Sequence, residues 1–457
     1  MHTNRTMNLI ESMRKSFLED NNGEMPLKVF NDYDIFQMEL RSIFSRNWIF
    51  LGLESEIPNE GDYVVRYIGP DPFIVIRGSD GKVRALFNSC RHRGTMLCIT
   101  DAGNTSNFMC PYHGWTYNNK GELVGVPFKE KAFEKFDTSK WGLLQIRVDT
   151  YDGLVFGNMD DRAPSLVDYL GDFKWYLDLI FKSTGGMEPV GPPQRWQAEF
   201  DWKLGAENFA EDRLHIAVVH KTLQAYGFVG KSRFGSGIET PDDVTVNEIK
   251  GGGGLPVACI GIRRTEKEAS SFLGYPREEW KSFSKDRVGN FQWEVLRRAI
   301  NMVFTLFPNF SGLISADATD SPFGVKPRVP FHTFRVWNPV GPGLTDMWVW
   351  TLVPKESSPE FKRRVGEVTR AVFGPAGNAE MDDLPIWRRV TKAAAGVFAE
   401  RARVALKGGL PTVKELGTCE EWDGPGLCRP TQFQEESQRT FWKRWVMEMS
   451  RGIEHEK

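Results

Sequence analysis

Two cysteine–histidine pairs lie close together in the first quarter of the chain. CRHRG contains Cys90 and His92, and CPYHGW contains Cys110 and His113. Two thiolates and two imidazoles on neighbouring loops can bind one zinc ion. They can equally bind a [2Fe–2S] cluster, with the cysteines on one iron and the histidines on the other. The spacing alone leaves both groups open, so it predicts a metal site whose type the flanking residues must decide.

The residues around these pairs favour the cluster over a zinc loop. Gly94 follows the first pair and Gly114 the second, and a glycine beside each loop lets backbone amides approach and hydrogen-bond the bridging sulfides. Two neutral imidazoles in place of two thiolates also raise the potential of such a cluster. Cys98 lies between the pairs with apolar neighbours, Leu97 and Ile99, so we expect a buried structural thiol rather than a fifth ligand.

A second histidine pair, His215 and His220, lies in GAENFAEDRLHIAVVH. In an ideal helix a five-residue step separates two side chains by about 140°, which is poor for chelation. The four-residue step of helical zinc sites is better. If these histidines bind one metal, the helix must bend, end or bulge between them. The spacing alone is therefore a weak signal, because two histidines on an amphipathic helix are usually packed or solvated.

The chain resembles a known family over nearly its whole length. CRHRG…CPYHGW, followed by YNNKGELVGVP, resembles the Rieske domain of aromatic-ring-hydroxylating dioxygenase large (alpha) subunits, of the naphthalene, biphenyl and toluene dioxygenase type. ENFAEDRLHIAVVH and FGPAGNAEMDD resemble later segments of the same family, in the same order. The resemblance implies a [2Fe–2S] cluster with Cys90 and Cys110 on the inner iron and His92 and His113 on the outer iron.

The resemblance also implies one mononuclear, non-haem Fe(II). Its ligands would be His215, His220 and Asp383, with Asp382 as the alternative because a one-residue slip in the match exchanges the two aspartates. Two histidines and one carboxylate on one face of the metal leave positions open for O2. In the family, the aspartate that matches Asp212 bridges the first iron histidine to a Rieske histidine of a neighbouring subunit.

The predicted substrate pocket rests on residues near the ligands in sequence, each of which can equally be ordinary core. They are Asn208, Phe209, Ala210, Ala217, Val218, Phe373 and Ala379. Family members often have tyrosine where this chain has Leu214, and usually a bulky aromatic where it has Ala379. The small Ala379 would enlarge the cavity and favour a bicyclic or polycyclic substrate. Arg213 could pair with a substrate carboxylate, but an ideal helix directs it about 160° away from His215, which favours a surface role.

Hydrophobic periodicity divides the chain into three parts. Residues 1–45 show apolar residues at helical spacing, residues 46–162 alternate short β-rich runs with turns, and residues 163–457 mix both patterns. We predict an α+β fold in which a small antiparallel β Rieske domain, residues 46–162, is inserted near the N-terminus of a larger catalytic domain. The resemblance implies that this larger domain has a central antiparallel sheet covered by helices, of the helix-grip type.

Within the larger domain, helices, strands and one long connection are predicted. The helical segments are DWKLGAENFAEDRLHIAVVH, SPEFKRRVGEVTRAVFG, PIWRRVTKAAAGVFAERARVALKG and QEESQRTFWKRWVMEM. The strand-like runs are MVFTLFPNFSGLIS, FHTFRVWNPV and DMWVWTLV. Residues 225–265, which contain four consecutive glycines, are predicted to be a mobile connection that acts as a lid over the entrance.

Composition excludes several classes of protein. The net charge is −2 over 457 residues, so no nucleic-acid partner is expected, and no apolar run reaches the ~18 residues that a membrane span needs. The N-terminus lacks the apolar block of a signal peptide, which predicts a cytoplasmic protein. Six cysteines in a chain of this length are expected to be metal ligands or core residues rather than a disulfide framework.

The family's chemistry implies an oxygenase that converts an aromatic ring into a cis-dihydrodiol with O2. Electrons would come from NAD(P)H through a separate reductase, often via a ferredoxin, and the chain has no G-x-G-x-x-G fingerprint of its own. The resemblance also implies a homotrimer, or an α3β3 assembly with a small beta subunit. Three alternatives stay open. The first is another Rieske enzyme, either a monooxygenase, a demethylase or an oxygenase of an aromatic carboxylate such as salicylate or benzoate. The second is a Rieske electron carrier, which would contain two irons per chain instead of three. The third is a zinc-stabilised interaction module.

Overall fold

The computed structural model describes residues 4–456 except 134, 211, 222–242, 248–256, 263–271, 316–328, 410–417, 420–421 and 431–433. The chain forms two compact units. The smaller is Phe44–Leu166, and the larger joins Met1–Ile43 to Val167–Lys457. The inserted domain predicted at residues 46–162 lies inside the smaller unit.

Runs of consecutive strands are separated by helices along the described residues. The helices are α1 (Asn4–Arg14), α2 (Tyr33–Glu39), α3 (Lys129–Ala132), α4 (Leu166–Leu170), α5 (Phe173–Leu177), α6 (Trp202–Asn208), α7 (Arg213–Val219), α8 (Asn290–Arg298), α9 (Pro359–Phe373), α10 (Asn378–Ala395) and α11 (Glu436–Glu456). The strands are β1 (Glu24–Pro26), β2 (Ile49–Leu53), β3 (Asp62–Ile68), β4 (Asp71–Arg77), β5 (Val83–Phe87), β6 (Ala102–Asn104), β7 (Asn107–Met109), β8 (Thr116–Asn118), β9 (Leu123–Gly125), β10 (Gln145–Tyr151), β11 (Leu154–Asn158), β12 (Met187–Pro189), β13 (Gln194–Ala198), β14 (Asp243–Asn247), β15 (Val257–Ile262), β16 (Ala299–Leu306), β17 (Phe310–Ser315), β18 (Phe331–Gly341), β19 (Leu344–Trp350), β20 (Leu352–Pro354), β21 (Arg403–Ala405) and β22 (Leu427–Arg429).

The smaller unit is antiparallel β-structure. Its described strands form a seven-stranded sheet in the order β2-β11-β10-β5-β4-β3-β6 and a three-stranded sheet in the order β7-β8-β9. Val, Ile and Phe residues occur at consecutive buried positions of β3 and β4, so both faces of the larger sheet are covered there, and such β-branched and aromatic residues favour strands. The core between the sheets includes Ile74, Leu86 and Tyr117. The connections β5–β6 and β7–β8 contain the two Cys/His pairs.

The larger unit is built around an antiparallel sheet whose described strands follow the order β13-β19-β18-β17-β16-β15-β14-β22. The central strands β18 and β19 are almost wholly buried, and helices α6 and α9 pack against β18. The α+β class is therefore confirmed, with antiparallel sheets in both units. The predicted strand runs are confirmed as β16, β17, β18, β19 and β20.

One helix predicted over residues 201–220 is in fact two. Helix α6 ends at Asn208, and α7 begins after Asp212, whose Oδ1 accepts hydrogen bonds from the backbone amides of Leu214 (3.1 Å) and His215 (3.3 Å). An aspartate at this position stabilises a new helix start, because it satisfies amides that have no partner inside the helix. The continuous apolar period concealed this restart.

The helix predicted to run to residue 408 ends early. Helix α10 stops at Ala395, and residues 403–405 form β21, which pairs with β1. Lys28 stabilises the end of α10, because its Nζ donates to the carbonyl oxygens of Ala394 (3.2 Å) and Ala395 (3.0 Å). The boundary thus combines a local stop signal, Gly396 at the C-cap, with a lysine from far along the chain.

The connection predicted at residues 225–265 is partly regular structure. Its β-branched runs form β14 and β15 of the large sheet, and its other residues, with the predicted lid, lie outside the described residues. Trp442 and Trp445, on α11, are fully buried in the core of the larger unit. Among the described helices, none has both the length and the apolar character that crossing a membrane requires.

Candidate metal centres

The two Cys/His loops share one backbone hydrogen-bond pattern. In each, the cysteine amide donates to the carbonyl oxygen five residues later, from Cys90 to Thr95 (2.9 Å) and from Cys110 to Trp115 (2.8 Å). In each, the amide of the glycine four residues after the cysteine donates back to the cysteine carbonyl oxygen, at 2.8 and 3.0 Å. The loops therefore repeat one turn, although the histidine follows the first cysteine by two residues and the second by three.

Both turns depend on the glycine that closes them. Gly94 has a φ of +78° and Gly114 a φ of +72°, a backbone conformation that L side chains rarely adopt. A Cβ on Gly114 would also lie 2.9 Å from Cγ of Pro127. The two glycines thus fix the geometry of the loops.

The side chains of the two loops fit the ligand set of a Rieske cluster. Cys90 and Cys110 are each 2% exposed. Nδ1 of His92 and Nδ1 of His113 are buried and have no hydrogen-bond partner among the described residues, and the two rings are 4.5 Å apart between centroids. A buried imidazole nitrogen without a partner is costly, so two such atoms beside two buried thiols indicate a bound group. That set suits a [2Fe–2S] cluster with mixed ligands.

Two aromatic residues hold these ligands in place. Oη of Tyr117 accepts a hydrogen bond from the Arg91 amide (3.0 Å) and lies 3.5 Å from Sγ of Cys90. Burial raises the pKa of Tyr117, so its hydroxyl keeps the proton that it can donate to sulfur. The ring of His92 stacks on the indole of Trp115, with centroids 4.8 Å apart and planes 7° from parallel. These contacts fix the orientation of one cysteine and one histidine.

Cys98 is a buried thiol, as predicted. It is 6% exposed, and burial raises its pKa to about 11. The Asn88 side chain fixes its backbone, with Oδ1 accepting from the Cys98 amide (2.9 Å) and Nδ2 donating to the Cys98 carbonyl oxygen (2.8 Å). Its neighbour Ile99 is 89% exposed, so the apolar neighbours that suggested burial are not themselves all buried.

In the larger unit, the histidines meet because the helix that carries them ends. Helix α7 stops at Val219, and His220 caps its C-terminus with φ −93° and ψ 13°. Nε2 of His215 then lies 3.2 Å from Nε2 of His220. Oδ1 of Asp383, on α10, lies 3.3 Å from Nε2 of His220 and 3.8 Å from Nε2 of His215. The interruption that chelation requires is thus present.

These three atoms fit a single metal ion. Ligand atoms about 2.1 Å from a common metal, at tetrahedral or right angles, lie about 3.0–3.4 Å apart. Two of the three separations meet this range, and the third exceeds it by a small margin. Two imidazole nitrogens and one carboxylate oxygen match the arrangement that holds non-haem Fe(II) in oxygenases.

Each histidine has a second carboxylate on its other ring nitrogen. Oδ2 of Asp212 lies 3.4 Å from Nδ1 of His215, which is long for a hydrogen bond but within ion-pair range. Oδ2 of Asp382 lies 3.3 Å from Nδ1 of His220. The structure therefore places Asp383 beside the two Nε2 atoms and Asp382 on the opposite ring nitrogen of His220. Carboxylates in such positions fix the tautomer and orientation of metal-binding histidines.

The charges at this site are strongly perturbed. Burial raises the pKa of Asp383 to about 7, against the opposing effect of His215. Burial, together with the charge of His215, lowers the pKa of His220 to about 3, so this ring stays neutral. Burial also disfavours the charged form of His215, but Asp212 and Asp383 outweigh it and raise its pKa. A bound cation would displace protons from these groups, because metal ligands must be deprotonated.

A cavity of about 160 Å³ is lined by two of the three proposed ligands, His215 and Asp383. Its described lining comes from α6, from α7 and its N-cap residue, and from α10. The lining residues are Leu204, Glu207, Asn208, Asp212, His215, Val219, Asp383, Ile386, Trp387 and Val390. On each helix these residues recur at three- and four-residue steps. Six of them were not predicted from the sequence, and counting helical steps from Asn208, His215 and Asp383 would have found them.

Most of the residues predicted to form the substrate pocket do not line this cavity. Asn208 lines the cavity, whereas Phe209, Ala210, Phe373 and Ala379 are buried outside its described lining. Val218 is 67% exposed, one turn from the exposed Leu214 on the outer side of α7. The side chains of Ala217 and Arg213 lie outside the described ones. Because Ala379 does not line this cavity, its small size does not widen it.

Comparison with known proteins identifies the family. The chain matches the family of the Rieske [2Fe-2S] domain over residues 47–151 and the family of the ring hydroxylating alpha subunit (catalytic domain) over residues 174–451. The chain belongs to the ring-hydroxylating alpha subunits. Members of this family are oxidoreductases that incorporate O2. Accordingly, this alpha subunit has a Rieske [2Fe–2S] domain and a mononuclear iron centre.

Individual relatives agree with this membership. The N,N-dimethyl phenylurea N-demethylase subunit alpha of Sphingobium sp. (strain YBL2) is 34% identical over 448 residues, covering 95% of this chain and 93% of that one. The large oxygenase component of the naphthalene 1,2-dioxygenase system of Pseudomonas fluorescens is 37% identical, covering 78% and 76%. The crystal structure of naphthalene 1,2-dioxygenase from Rhodococcus sp. bound to indole matches with a TM-score of 0.88 and 34% identity, covering 98% and 99%. Which side chains bind the two groups stays a prediction, supported by the distances above.

Proposed function

We propose that this chain is the terminal oxygenase alpha subunit of a multicomponent dioxygenase that converts an aromatic hydrocarbon into a cis-dihydrodiol. The observation that carries the proposal is the meeting of His215 Nε2, His220 Nε2 and Asp383 Oδ1 beside a cavity, in a chain that also has a Rieske domain. An electron-carrying domain needs an acceptor, and this triad supplies the ligands for one. The bound iron would supply the activation of O2.

The chain's own side chains would orient the iron ligands. Asp382 accepts from Nδ1 of His220, and Asp212 lies within ion-pair range of Nδ1 of His215, which would leave each Nε2 lone pair directed at the metal position. Asp212 is also the residue that we propose to reach the Rieske histidine of a neighbouring subunit. One carboxylate in contact with imidazoles of both centres would give electrons a short path.

The cavity walls suit an aromatic ring. Leu204, Val219, Ile386, Trp387 and Val390 supply apolar surface, and the polar lining residues include the proposed ligands His215 and Asp383. An engineered apolar cavity of about 150 Å³ binds benzene, so the described volume holds about one ring. The walls would also exclude water, which protects the reaction from side processes. After the relatives named above, we propose naphthalene-like and biphenyl-like hydrocarbons as first substrates, with one ring in the described cavity and the second extending beyond its described lining.

The partners of the alpha subunit are part of the proposal. Large exposed apolar side chains occur near each metal centre, and clustered ones are typical of interaction surfaces. Near the Rieske loops they are Ile99, Met109, Tyr112 and Phe128, and around the iron site they are Leu214, Val218, Met381 and Ile386. We propose that both sets are covered in an α3 or α3β3 assembly, and that a ferredoxin and an NAD(P)H reductase supply electrons.

The test combines metal content with product analysis. The purified protein should contain about three irons per chain, against about two for an electron carrier. With a surrogate ferredoxin and reductase, naphthalene or biphenyl should give a dihydrodiol containing both atoms of ¹⁸O2. A chain with two irons, or one that gives no oxygenated product from any mono-, bi- or polycyclic aromatic, would contradict the proposal.

A second candidate is oxidative N-demethylation. The observation that favours it is the phenylurea N-demethylase relative, whose match extends over 95% of this chain. An N,N-dimethyl phenylurea would then release formaldehyde, and its product would contain at most one atom from ¹⁸O2. Parallel assays of an arene and an N-methyl phenylurea distinguish the two reactions.

A further inference from the structure

Arg335 lies near the middle of β18 and is fully buried. Its Nη1 donates to Oε2 of Glu380 (2.8 Å), and its Nε and Nη2 donate to Oγ1 of Thr333 (3.2 and 3.1 Å). Glu380 is 1% exposed and lies three residues before Asp383, on the same face of α10. One ion pair therefore joins the central sheet to the helix that carries the aspartate of the iron site.

The same guanidinium contacts three aromatic rings. Its central carbon lies 4.8 Å from the ring centroid of Phe209, 5.1 Å from that of Trp337 and 5.1 Å from that of Phe373. These distances are within the range of cation–π attraction. Phe209 directly follows the cavity residue Asn208. Arg335 therefore contacts both the aromatic core behind the cavity and, through Glu380, the ligand helix.

Stability alone does not account for this ion pair. A buried ion pair is often no more stabilising than apolar side chains of the same volume. Oε1 of Glu380 is also buried without a hydrogen-bond partner among the described residues, which adds a desolvation cost. A costly charged pair one helical turn from a metal ligand indicates a role at that ligand.

We infer that Arg335 and Glu380 are positioning residues of the iron site, which fix the rotation of α10 and so aim Asp383 at the two histidines. The inference rests on the proposed ligand set. Neither residue belongs to the group of three candidate ligands. Rotating a helix by about 20° moves an atom about 5 Å from its axis by nearly 2 Å, whereas a metal site tolerates errors of about 0.5 Å. The ion pair prevents that rotation.

The chain offers a matched control pair. Arg444 and Glu448 form a second buried ion pair, with nitrogen and oxygen 2.5 Å apart and both side chains 7% exposed. The Arg444 guanidinium also lies over an aromatic ring, 5.6 Å from the centroid of Phe307. Arg444→Met thus removes a similar ion pair and a similar cation–π contact from α11, which carries none of the cavity-lining residues.

The experiment measures how firmly iron is held. Arg335→Met, Arg335→Lys, Glu380→Gln and Arg444→Met are purified as full chains, and the rate of Fe²⁺ loss to a chelator is followed while the Rieske absorption reports an intact fold. We expect about tenfold faster iron loss for Arg335→Met and Glu380→Gln, with an altered EPR spectrum of the nitric oxide complex. Arg335→Lys should recover part of the effect. Arg444→Met should lower the melting temperature but release iron at the wild-type rate.

The outcomes separate positioning from stability. Wild-type iron release and a wild-type spectrum in folded Arg335→Met and Glu380→Gln would overturn the inference, even if both melt earlier. If Arg335→Met does not fold, Arg335→Lys and Glu380→Gln decide by the same criterion, and failure of all three to fold beside a folded Arg444→Met would show a structural role only. A wild-type chain with no more iron than Asp383→Ala would refute the proposed function instead.

Discussion

The Rieske loops and the iron site hold their side chains by different means. The loops lie within residues 90–115, and each is closed by its own backbone hydrogen bonds and a glycine of positive φ. The iron site joins α7 and its cap to α10, with the contacting residues His220 and Asp382 162 positions apart along the chain, and its histidines are oriented by neighbouring carboxylates. The first site is thus a local structure that contiguous sequence specifies, whereas the second exists only once distant helices pack. A substitution that impairs the cluster should therefore lie in or beside its two loops. Iron binding, in contrast, should be impaired by substitutions in several distant segments.

The largest effect is expected from Asp383→Ala, which removes the carboxylate from the triad. The iron content should fall from about three to about two per chain, because two histidines alone hold Fe(II) weakly. Turnover should become undetectable while the Rieske absorption stays unchanged. Metal analysis with visible spectroscopy checks this. Asp382→Ala is the control and should retain most of the third iron, and the reverse result would assign the ligand to Asp382.

Gly114→Ala tests whether the turn geometry of a Rieske loop is required for cluster binding. The new Cβ meets Cγ of Pro127 at 2.9 Å in a backbone of φ +72°, where an L residue costs about 1–2 kcal/mol. Cluster absorption should fall by more than half while the mononuclear iron is retained.

Gly153→Ala is the matched control for that change. Gly153 lies in the same unit and has a φ of +84°, but a Cβ there has no atom within 4 Å among those described. Equal cluster loss in both variants would mean that backbone strain anywhere in the unit, and not the closure of the loop, governs cluster binding.

Asp212→Asn should separate electron delivery from metal binding. The amide keeps the helix cap but loses the charge beside Nδ1 of His215. We expect both metal groups to be retained and turnover to fall by about 10–100-fold. Stopped-flow oxidation of the reduced cluster, in the presence of substrate and O2, measures the step. Asp382→Asn is the contrast, since it should weaken iron retention more than it slows the cluster, and identical effects of the two changes would remove the distinction.

The smallest effect is expected from Lys28→Met. The substitution removes the ammonium group from the last carbonyls of α10, a favourable helix-end interaction worth about 1 kcal/mol. Urea denaturation should show the larger unit destabilised by that order, with cluster absorption unchanged. Lys140→Met, at a lysine whose side chain is 78% exposed in the smaller unit, is the control. A Lys28 variant as stable as the wild type would show that another contact ends α10.

The same difference decides how far the sequence could predict each site. The cluster ligands stand out because types, spacing and glycines coincide within one short stretch. His215 and His220 do not stand out, because a five-residue step suits a metal only if the helix ends between the two histidines. The start of that helix at the N-cap residue Asp212 was also concealed by the continuous apolar period. The order of the large sheet and the Arg335–Glu380 pair depend on contacts between distant segments, which no local pattern encodes.

Lys28 donates to a carbonyl 367 residues further along the chain. At about 5–20 residues per second, a ribosome needs on the order of 20–70 s to complete that acceptor after it has made the lysine. The partner of helix α1 is synthesised later still, since α1 packs against α11 near the other terminus. The amino-terminal arm of the nascent chain thus leaves the ribosome without its final partners, and the iron-binding fold is completed only after nearly all of the polypeptide has been synthesised.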